Sequence, residues 1–382
     1  MPFPIAYLID RPAPSETFVR REIEHLRRNG WPVVDAALVG AQALAPDLSK
    51  CPPKARSRLF RAARSRVAAE LLGSPLVACR ILKRLPQAAT LASLASENGA
   101  RLLHAHFAGI TADLVSVAAA ALELPWTCSV HAHDVFTASP RALFRRLRTA
   151  RGVVACSRRA ADAVARCGFP ADRLAVIHHG LPLDEYPFGD PHDDGVVLAA
   201  GRLEAKKGID TLVQACGHLR TRGARFACVV AGDGSQKDEL VRLVKRLNLE
   251  EAVSFVGWKS SDELKGLVAR ASVLAVPSRQ TPQGDRDGLS NVLVEALALG
   301  TPVVTTGAGA AEEVIVSGTN GILVPPDDPI ELARALEALL ASSDLRARLA
   351  REARRTAEQL FDGIETTRQL EAFFTRAVRE AR

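Results

Sequence analysis

The chain has 382 residues, of which 47% are hydrophobic and 24% are charged, and its formal net charge is +7. This length is enough for two domains of ordinary size, each with a core of its own. No stretch approaches the roughly 18 consecutive apolar residues of a membrane span, and MPFPIAYLID has no basic region before its apolar segment, so we expect a cytoplasmic protein without a cleaved leader.

The seven cysteines are scattered through the chain, and none has a close neighbour in the sequence. An odd number without paired spacing argues against a disulfide framework and against a zinc site of the usual Cys pattern. We therefore expect a reducing compartment and no metal.

The first half alternates strand and helix patterns. A helix from about Glu16 to Asn29, capped by Ser15, follows the first strand. No GxGxxG marks the first turn, which weighs against a dinucleotide-binding domain. Strands are predicted at IAYLI (5–9), VVDAALV (33–39), LLHAHF (102–107), WTCSV (126–130), GVVACS (152–157) and LAVIHHG (174–180).

Two basic segments stand out in this half, where residues 1–185 contain 25 Lys and Arg against 15 Asp and Glu. Six basic residues between Lys54 and Arg66 are interleaved with apolar ones, and RALFRRLRTAR at 141–151 repeats the pattern. Such segments can lie on an anionic membrane surface, although a solvated basic face explains them equally well. Aromatic residues are few and no recognition motif is present, so nucleic acid is not expected as a partner.

Histidines occur in pairs after two of these strands, His104 with His106 and His131 with His133, the latter followed by Asp134. We expect the strand geometry to turn the members of each pair to opposite sides. That arrangement does not favour a metal site.

Residues 181–195, LPLDEYPFGDPHDDG, contain three prolines, two glycines and five acids without periodicity, and predict a linker that acts as a hinge. Beyond it, VVLAAGRLEAKKGIDTLVQAC is a strand, a basic loop and a helix. Arg202, Lys206 and Lys207 in that loop can hold a diphosphate at the helix start. Gly232 and Gly234, in AGDG, would let a ligand approach the backbone.

The stretch 277–304, PSRQTPQGDRDGLSNVLVEALALGTPVV, follows a predicted strand, SVLAVP (272–277). Its apolar helix begins near Ser290 and Asn291, and a helix N-terminus suits a phosphate. Asp287 precedes this helix, as a cap would, and Glu295 lies inside it among aliphatic residues. A buried carboxylate needs specific donors, which sugar hydroxyls or a salt bridge could supply.

Asp287, Glu295 and the following EALALGTPVV resemble the acidic pair of the retaining GT-B glycosyltransferases of family 4, and the exopolysaccharide or colanic-acid branch in particular. The family usually has Glu at the first position, so Asp287 shortens that side chain by one methylene. GRLEAKKG likewise resembles the family's contacts to the donor diphosphate, with Arg202 and Lys207 the best matches.

The resemblance implies an α/β GT-B fold with two Rossmann-like domains facing each other across a cleft. Residues 1–185 would bind the acceptor, residues 186–361 the donor, and a C-terminal helix at about 362–382 would pack back on the first domain. The SETF loop, with Ser15, Glu16 and Thr17, would face the acceptor together with His106. His179 stands where the family usually has Asn, and no role is assigned to it.

Catalytic roles are implied for His131, Asp287, Arg202 and Lys207, with domain closure about the hinge and no metal or other cofactor. The donor-binding set consists of Arg202, Lys206, Lys207, Gly232, Gly234, Val256, Gly257, Trp258, Asp287, Gly288, Leu289, Ser290, Asn291, Val292 and Glu295.

The resemblance thus implies a retaining glycosyltransferase that moves a hexose-type sugar from a nucleotide diphosphate sugar, with UDP the commonest carrier, to a saccharide or lipid-linked saccharide at the inner membrane face. A membrane-associated scaffold that binds nucleotide sugar without turnover is the alternative. An oxidoreductase is disfavoured by the missing fingerprint.

Overall fold

The computed structural model describes residues 2–10, 17–39, 43–71, 74–189 and 192–380. The chain divides into two compact units. One consists of residues 1–180 and 363–382, and the other consists of residues 181–362.

The first unit is built on a parallel six-stranded sheet in the order β2-β1-β3-β4-β5-β6. All six strands predicted for this half are present, because each is a short and mostly apolar run, and all but the edge strand at 174–176 are largely buried. The strands are β1 (Ile5–Ile9), β2 (Val33–Ala37), β3 (Leu102–His106), β4 (Trp126–Val130), β5 (Gly152–Ala155) and β6 (Leu174–Val176). The helices are α1 (Thr17–Arg28), α2 (Pro53–Leu71), α3 (Pro75–Glu97), α4 (Ile110–Leu122), α5 (Ala132–Thr137), α6 (Pro140–Leu147) and α7 (Arg158–Arg166). Ser15 and Glu16 lie outside the described residues.

The second unit has a parallel six-stranded sheet in the order β12-β11-β10-β7-β8-β9. Its alternation of strands and covering helices confirms the predicted α/β class for both halves. The strands are β7 (Val196–Ala200), β8 (Ala227–Ala231), β9 (Val253–Gly257), β10 (Val273–Val276), β11 (Val303–Thr306) and β12 (Ile322–Val324). The helices are α8 (Ile209–Thr221), α9 (Lys237–Arg246), α10 (Ser261–Arg270), α11 (Asn291–Leu299), α12 (Pro329–Ala341) and α13 (Ser343–Leu360).

The last helix, α14 (Gly363–Arg379), belongs to the first unit. The Phe374 ring lies 5.1 Å from the His104 ring and packs against Tyr7. A β-carbon at Gly152 would stand 2.6 Å from the Phe373 ring, so the start of β5 has room only for glycine. The C-terminal helix therefore completes the core behind β3 and β5.

The predicted linker is partly structured. Leu181 and Tyr186 are buried in the core of the second unit, and the Leu181 N–H donates to the Phe361 carbonyl at 2.8 Å. Arg354 donates to the Tyr186 carbonyl. At least these residues of 181–195 are anchored rather than loose, because their apolar side chains fill the second core.

The two basic segments are partly internal, so only some of their cations are available to a membrane surface or to solvent. Arg66 is 6% exposed and its Nε donates to the Asp113 carboxylate at 2.9 Å, while Arg145 pairs with the buried Glu70 at 3.1 Å. The acids come from α2 itself and from α4, which the local sequence pattern does not show. The basic residues of α2 that remain exposed are Lys54, Arg56, Arg61 and Arg64. Among the described residues, no helix combines the length and apolarity needed to cross a membrane.

Candidate functional site

The loops that follow β7 and β10 are tied together at the carboxyl edge of the second sheet. Gly208 has a φ of +63°, and a β-carbon there would lie 1.9 Å from the Pro277 carbonyl oxygen. The Arg279 N–H donates to the Lys206 carbonyl at 2.8 Å. This close approach holds the two lysines beside the acids of residues 285–287.

Lys207 and Asp287 form a largely buried ion pair, with the lysine Nζ 2.8 Å from Oδ2. The Ser278 hydroxyl donates to the same oxygen at 2.7 Å. Burial by itself would raise the pKa of Asp287, but the charge and hydrogen bond of Lys207, with help from Ser278, lower it below its ordinary value. Asp287 is therefore ionised and held in one place at neutral pH.

Lys206 is turned into the protein. It is 6% exposed, and its Nζ lies 3.1 and 3.2 Å from the two carboxylate oxygens of Asp285. Sequence reasoning did not single out Asp285, although its place two residues before Asp287 was visible. Lys206 therefore fixes the 285–287 loop in this structure.

Arg202 is the most exposed of the three basic residues in the β7 loop, which are Arg202, Lys206 and Lys207. Its side chain is 59% exposed and pairs with Glu204 at 2.9 Å. An exposed pair of this kind is weak, usually worth less than 1 kcal/mol. The guanidinium is therefore easily released to a ligand.

The two glycines after β8 serve a close approach between loops. Gly232 has a φ of +144°, and a β-carbon there would lie 1.9 Å from the Gly201 carbonyl oxygen. At Gly234 it would lie 2.5 Å from the Leu203 carbonyl oxygen. Packing against the β7 loop requires glycine at both positions, and their contact with a ligand stays a prediction.

Helix α11 starts at Asn291, as predicted, with Ser290 as its N-cap. The Ser290 side chain makes no capping hydrogen bond, so it does not occupy the N–H groups of the first turn. The start of the helix follows directly on Gly288 and Leu289, beside Asp287. This arrangement places backbone donors and the positive end of the helix dipole next to the Lys207 pair.

Glu295 is 6% exposed in the second turn of α11, next to the buried Val292. The Tyr186 hydroxyl donates to its Oε1 at 3.3 Å. Sequence reasoning missed Tyr186, because nothing in the linker pattern indicated that this residue returns to α11.

The end of β9 presents an exposed aromatic side chain. Trp258 is 61% exposed and Val256 is 36% exposed, while Gly257 turns the chain with a φ of +70°. An indole at the carboxyl edge of a parallel sheet is suited to stack on a planar ring.

In the first unit, His131 follows β4 and forms a capping box with Asp134 at the start of α5. The Asp134 carboxylate accepts from the His131 N–H at 3.1 Å. Burial raises the pKa of Asp134 to about 6 even though backbone N–H groups of Ala108 and His131 oppose the shift. Burial also places the pKa of His131 well below its ordinary value, so the ring is neutral at pH 7.

A buried hydrogen-bond chain lies behind His131. His131 Nε2 is 3.3 Å from His106 Nδ1, and His106 Nε2 is 3.0 Å from Glu22 Oε1. Tyr7 donates to the same Glu22 oxygen at 3.0 Å. Burial would raise the pKa of Glu22, but His106 and neighbouring histidines lower it to about 2. His106 is fully buried and contacts His131 in this structure, and its contact with the acceptor stays a prediction.

The expected orientation of the histidine pairs is wrong for His104 and His106. Residues two apart on a strand share a face, and these rings lie 5.1 Å apart, both against Tyr7. His131 and His133 do differ, because α5 begins between them and leaves His133 exposed.

His179, to which no role was assigned, lies beside His131. The two rings are stacked with centroids 5.3 Å apart, and Phe18 lies 4.1 Å from the His179 ring. Burial lowers the pKa of His179 to about 4. Thr17 opens α1 directly before Phe18, which places the described end of the SETF loop near this cluster.

Two family models match the chain, one for each half. Residues 15–185 match the model described as Glycosyltransferase Family 4, and residues 185–356 match the model described as Glycosyl transferases group 1. The two matches meet at residue 185.

The chain is also similar to curated proteins. The WcaL proteins named for colanic acid biosynthesis in Escherichia coli and Salmonella typhimurium are 30% and 32% identical, over 54% and 46% of this chain and 52% and 43% of their own. The alpha-D-kanosaminyltransferase of Streptomyces kanamyceticus is 28% identical over 68% of this chain and 73% of its own. The chain therefore spans about half the length of the WcaL relatives that it matches.

Among solved structures, HepE of Anabaena in complex with UDP-glucose matches with a TM-score of 0.75 at 21% identity, over 98% of this chain and 99% of that one. Sucrose-phosphate synthase of Thermosynechococcus elongatus matches with a TM-score of 0.73 at 22% identity, over 98% of each chain. At these identities the likeness shows the fold.

Proposed function

Because the chain belongs to the family 4 glycosyltransferases of the GT-B fold, with both halves matching its models, we propose that it transfers a hexose-type sugar from a nucleotide diphosphate sugar to a saccharide or lipid-linked saccharide in polysaccharide biosynthesis. The observation that carries the proposal is the Lys207–Asp287 pair beside the N-terminus of α11. UDP is the proposed carrier, since HepE, which shares the fold, was solved with UDP-glucose.

The chemistry requires a site for the leaving diphosphate. Cleavage of the sugar–phosphate bond places negative charge on the leaving group and positive charge on the anomeric carbon. Arg202, Lys207 and the first N–H groups of α11 supply positive charge to the diphosphate before it departs. The helix fixes the N–H groups, whereas Arg202 and Lys207 exchange Glu204 and Asp287 for the diphosphate when the donor binds, before the charge develops.

Asp287 and Glu295 would bind the transferred sugar and the ribose of the donor. Asp287, once Lys207 moves to the phosphate, is free to accept from hydroxyls of the transferred sugar. Glu295, with Tyr186 already at 3.3 Å, is suited to hold the ribose hydroxyls, and Trp258 to stack on the base. His131 would contact the transferred sugar, and we propose retention of the anomeric configuration without a metal.

The first test replaces Glu295 with Gln, which keeps the shape of the side chain and removes its charge. We expect a rise in KM for the donor and at least a tenfold loss of kcat/KM, because ribose hydroxyls lose a charged acceptor. Glu312→Gln, which changes an exposed acid of the same unit outside the proposed set, is the control. A change in kcat/KM within twofold for Glu295→Gln would remove Glu295 from the donor site.

The acceptor side carries a second proposal, contact with an anionic membrane surface through the exposed part of α2. Lys54, Arg56, Arg61 and Arg64 are the exposed cations of α2 that would make this contact. Cosedimentation with phosphatidylglycerol vesicles, with a variant in which Arg61 and Arg64 are replaced by Gln, tests this contact. Equal binding by both proteins, or no binding by the wild type, contradicts it.

A further inference from the structure

Three metal-ligating side chains converge at the carboxyl edge of the first sheet. His131 follows β4, Cys156 follows β5 and His179 follows β6, so neighbouring strands of the sheet each supply one. Their ligand atoms all lie within 4.8 Å of one another. A tetrahedral zinc ion, with bonds of about 2.0–2.3 Å, places its ligand atoms roughly 3.5 Å apart. Side-chain movements of roughly 1 Å would therefore bring all three onto one ion.

The three side chains line a small cavity that also has Ile177 and Phe18 in its wall. The space is about 20 Å³, enough for one water-sized body. A cavity of this size, lined by both apolar and polar side chains, cannot hold a sugar or a nucleotide. It can hold an ion with a single further ligand.

The ring nitrogens of His104 and His179 differ in their hydrogen bonds, and this difference favours a ligand-binding role for the cluster of His131, Cys156 and His179. His104 has both ring nitrogens bonded, to Thr127 Oγ1 at 2.8 Å and to Ser129 Oγ at 3.1 Å. His179, in contrast, makes ring contacts but no ring-nitrogen hydrogen bond to any residue that the structure describes. Its nitrogens are therefore available to a ligand in a way that those of His104 are not.

His131 has the kind of support that metal-binding histidines receive. Its Nε2 meets His106, which in turn meets the Glu22 carboxylate, and a carboxylate behind a histidine orients the ring and raises its basicity toward a metal. Since Nε2 keeps its contact with His106, an ion would bind Nδ1 and displace the contact of His131 with the start of α5.

We propose that His131, Cys156 and His179 bind one thiophilic cation, with Zn²⁺ as the reference ion, and leave a fourth position open. Two imidazoles and one thiolate are a soft donor set that suits Zn²⁺ or Cu⁺ and not Mg²⁺ or Ca²⁺. Binding removes the thiol proton of Cys156, which is released to solvent. A bound ion also holds His131 away from the sugar, so it inhibits transfer. Only this inhibition of transfer rests on the proposed function.

The test uses untagged, chelator-treated, reduced protein titrated with Co²⁺, whose bond to a thiolate gives a charge-transfer band in the near ultraviolet. We expect one equivalent to bind with this band and Zn²⁺ to displace it. Cys156→Ser removes the band, and His179→Asn weakens binding at least tenfold. Cys167→Ser and His133→Asn, which alter a thiol and an imidazole outside the cluster, are the matched controls and bind normally.

A measurement on the wild type covers the case in which a variant fails to fold. Zinc-edge X-ray absorption should show one sulfur and two imidazole nitrogens on the ion. A shell of oxygen atoms only, or a Co²⁺ titration that is the same in Cys156→Ser and in the wild type, overturns the site.

Inhibition of transfer by Zn²⁺ is measured separately from metal binding. Each protein's transfer rate with Zn²⁺ is divided by its metal-free rate, and we expect at least tenfold weaker inhibition of His179→Asn than of the wild type. Equal inhibition overturns the coupling to His131. If no transfer is found in any protein, the proposed function fails, while the spectra still decide the metal site.

Discussion

Replacing Lys207 with Met separates the two roles of this side chain, in stability and in catalysis. The ion pair with Asp287 spans 2.8 Å, and the two side chains are 16% and 10% exposed. Removing one partner of a pair this well buried leaves a carboxylate that keeps only the Ser278 hydroxyl among its closest donors. Such changes typically destabilise a protein by about 3 to 5 kcal/mol, and the residual exposure places this one at about 3 kcal/mol.

That loss has a measurable thermal consequence. In a unit of this size, each kcal/mol shifts the unfolding midpoint by about 2 to 4 °C, so we expect Lys207→Met to unfold about 6 to 12 °C lower. Differential scanning calorimetry measures the shift. Lys237→Met is the matched control, because that lysine is 40% exposed in an i,i+4 pair with Asp233 and should shift the midpoint by less than 3 °C.

The kinetic effect is separate from the thermal one when both proteins are assayed well below their midpoints. Loss of one preorganised donor to a leaving group typically lowers kcat by about 100- to 1,000-fold. We expect this range for Lys207→Met with UDP-glucose as the first donor to try. We expect Asp287→Asn to bind UDP alone more tightly than the wild type does, because no carboxylate then competes with the diphosphate for Lys207.

Two results would refute this reasoning. A kcat for Lys207→Met within tenfold of the wild type means that the lysine does not meet the leaving group. Weaker UDP binding by Asp287→Asn in isothermal titration means that the carboxylate does not compete with the diphosphate.

Three further changes test the structure. Arg66→Met should lower the free energy of unfolding by about 3 to 5 kcal/mol, because the buried Asp113 loses its partner, and adding Asp113→Leu should restore much of it in urea denaturation. Burial lowers the pKa of His104 to about 3, so only the unfolded chain takes up this proton as pH falls below 6.5. The wild type should lose about 1.6 kcal/mol from this group between pH 6.5 and 5.0, and His104→Gln should not. Gly232→Ala should destabilise by about 3 kcal/mol or more through its clash with a carbonyl, whereas Gly223→Ala, in open space, should lose only about 1 kcal/mol.

The fold was accessible from the sequence because its signals are local. Each strand is a short apolar run and each helix has periodic apolar positions, so IAYLI and VVLAA predict buried strands wherever they occur. The start of α11 was equally visible, since Ser290 and Asn291 stand between a Gly-rich loop and a continuous apolar stretch.

The partners of individual side chains were less accessible, because they depend on contacts between distant segments. From the sequence of α2 alone, Arg66 is predicted to lie on the surface. Its partner Asp113 belongs to α4 and lies 47 positions away in the sequence. Tyr186 meets Glu295 across 109 positions. The hydrophobic periodicity or residue spacing of one segment does not predict which distant side chain it contacts.

The histidines show a different kind of gap, in which the pattern was visible and the geometry was misjudged. Positions two apart on a strand share a face, so His104 and His106 were bound to meet if β3 formed. His179 was visible as a departure from the family residue, but its position beside His131 requires β4 and β6 to lie on either side of β5. Strand order is the information that the sequence lacked.

The charges in the loops that follow β7 and β10 are explained by one constraint, that cations buried without a ligand need acidic partners. Lys206 has Asp285, Lys207 has Asp287, and Arg279 has Asp210 and Asp327. A diphosphate that takes Lys207 therefore releases Asp287, and that acid then needs a new donor in a buried place. Sugar hydroxyls attached to the diphosphate supply it, whereas a nucleotide alone does not. The pair thus links recognition of the phosphate to recognition of the sugar, which favours the intact donor over its product.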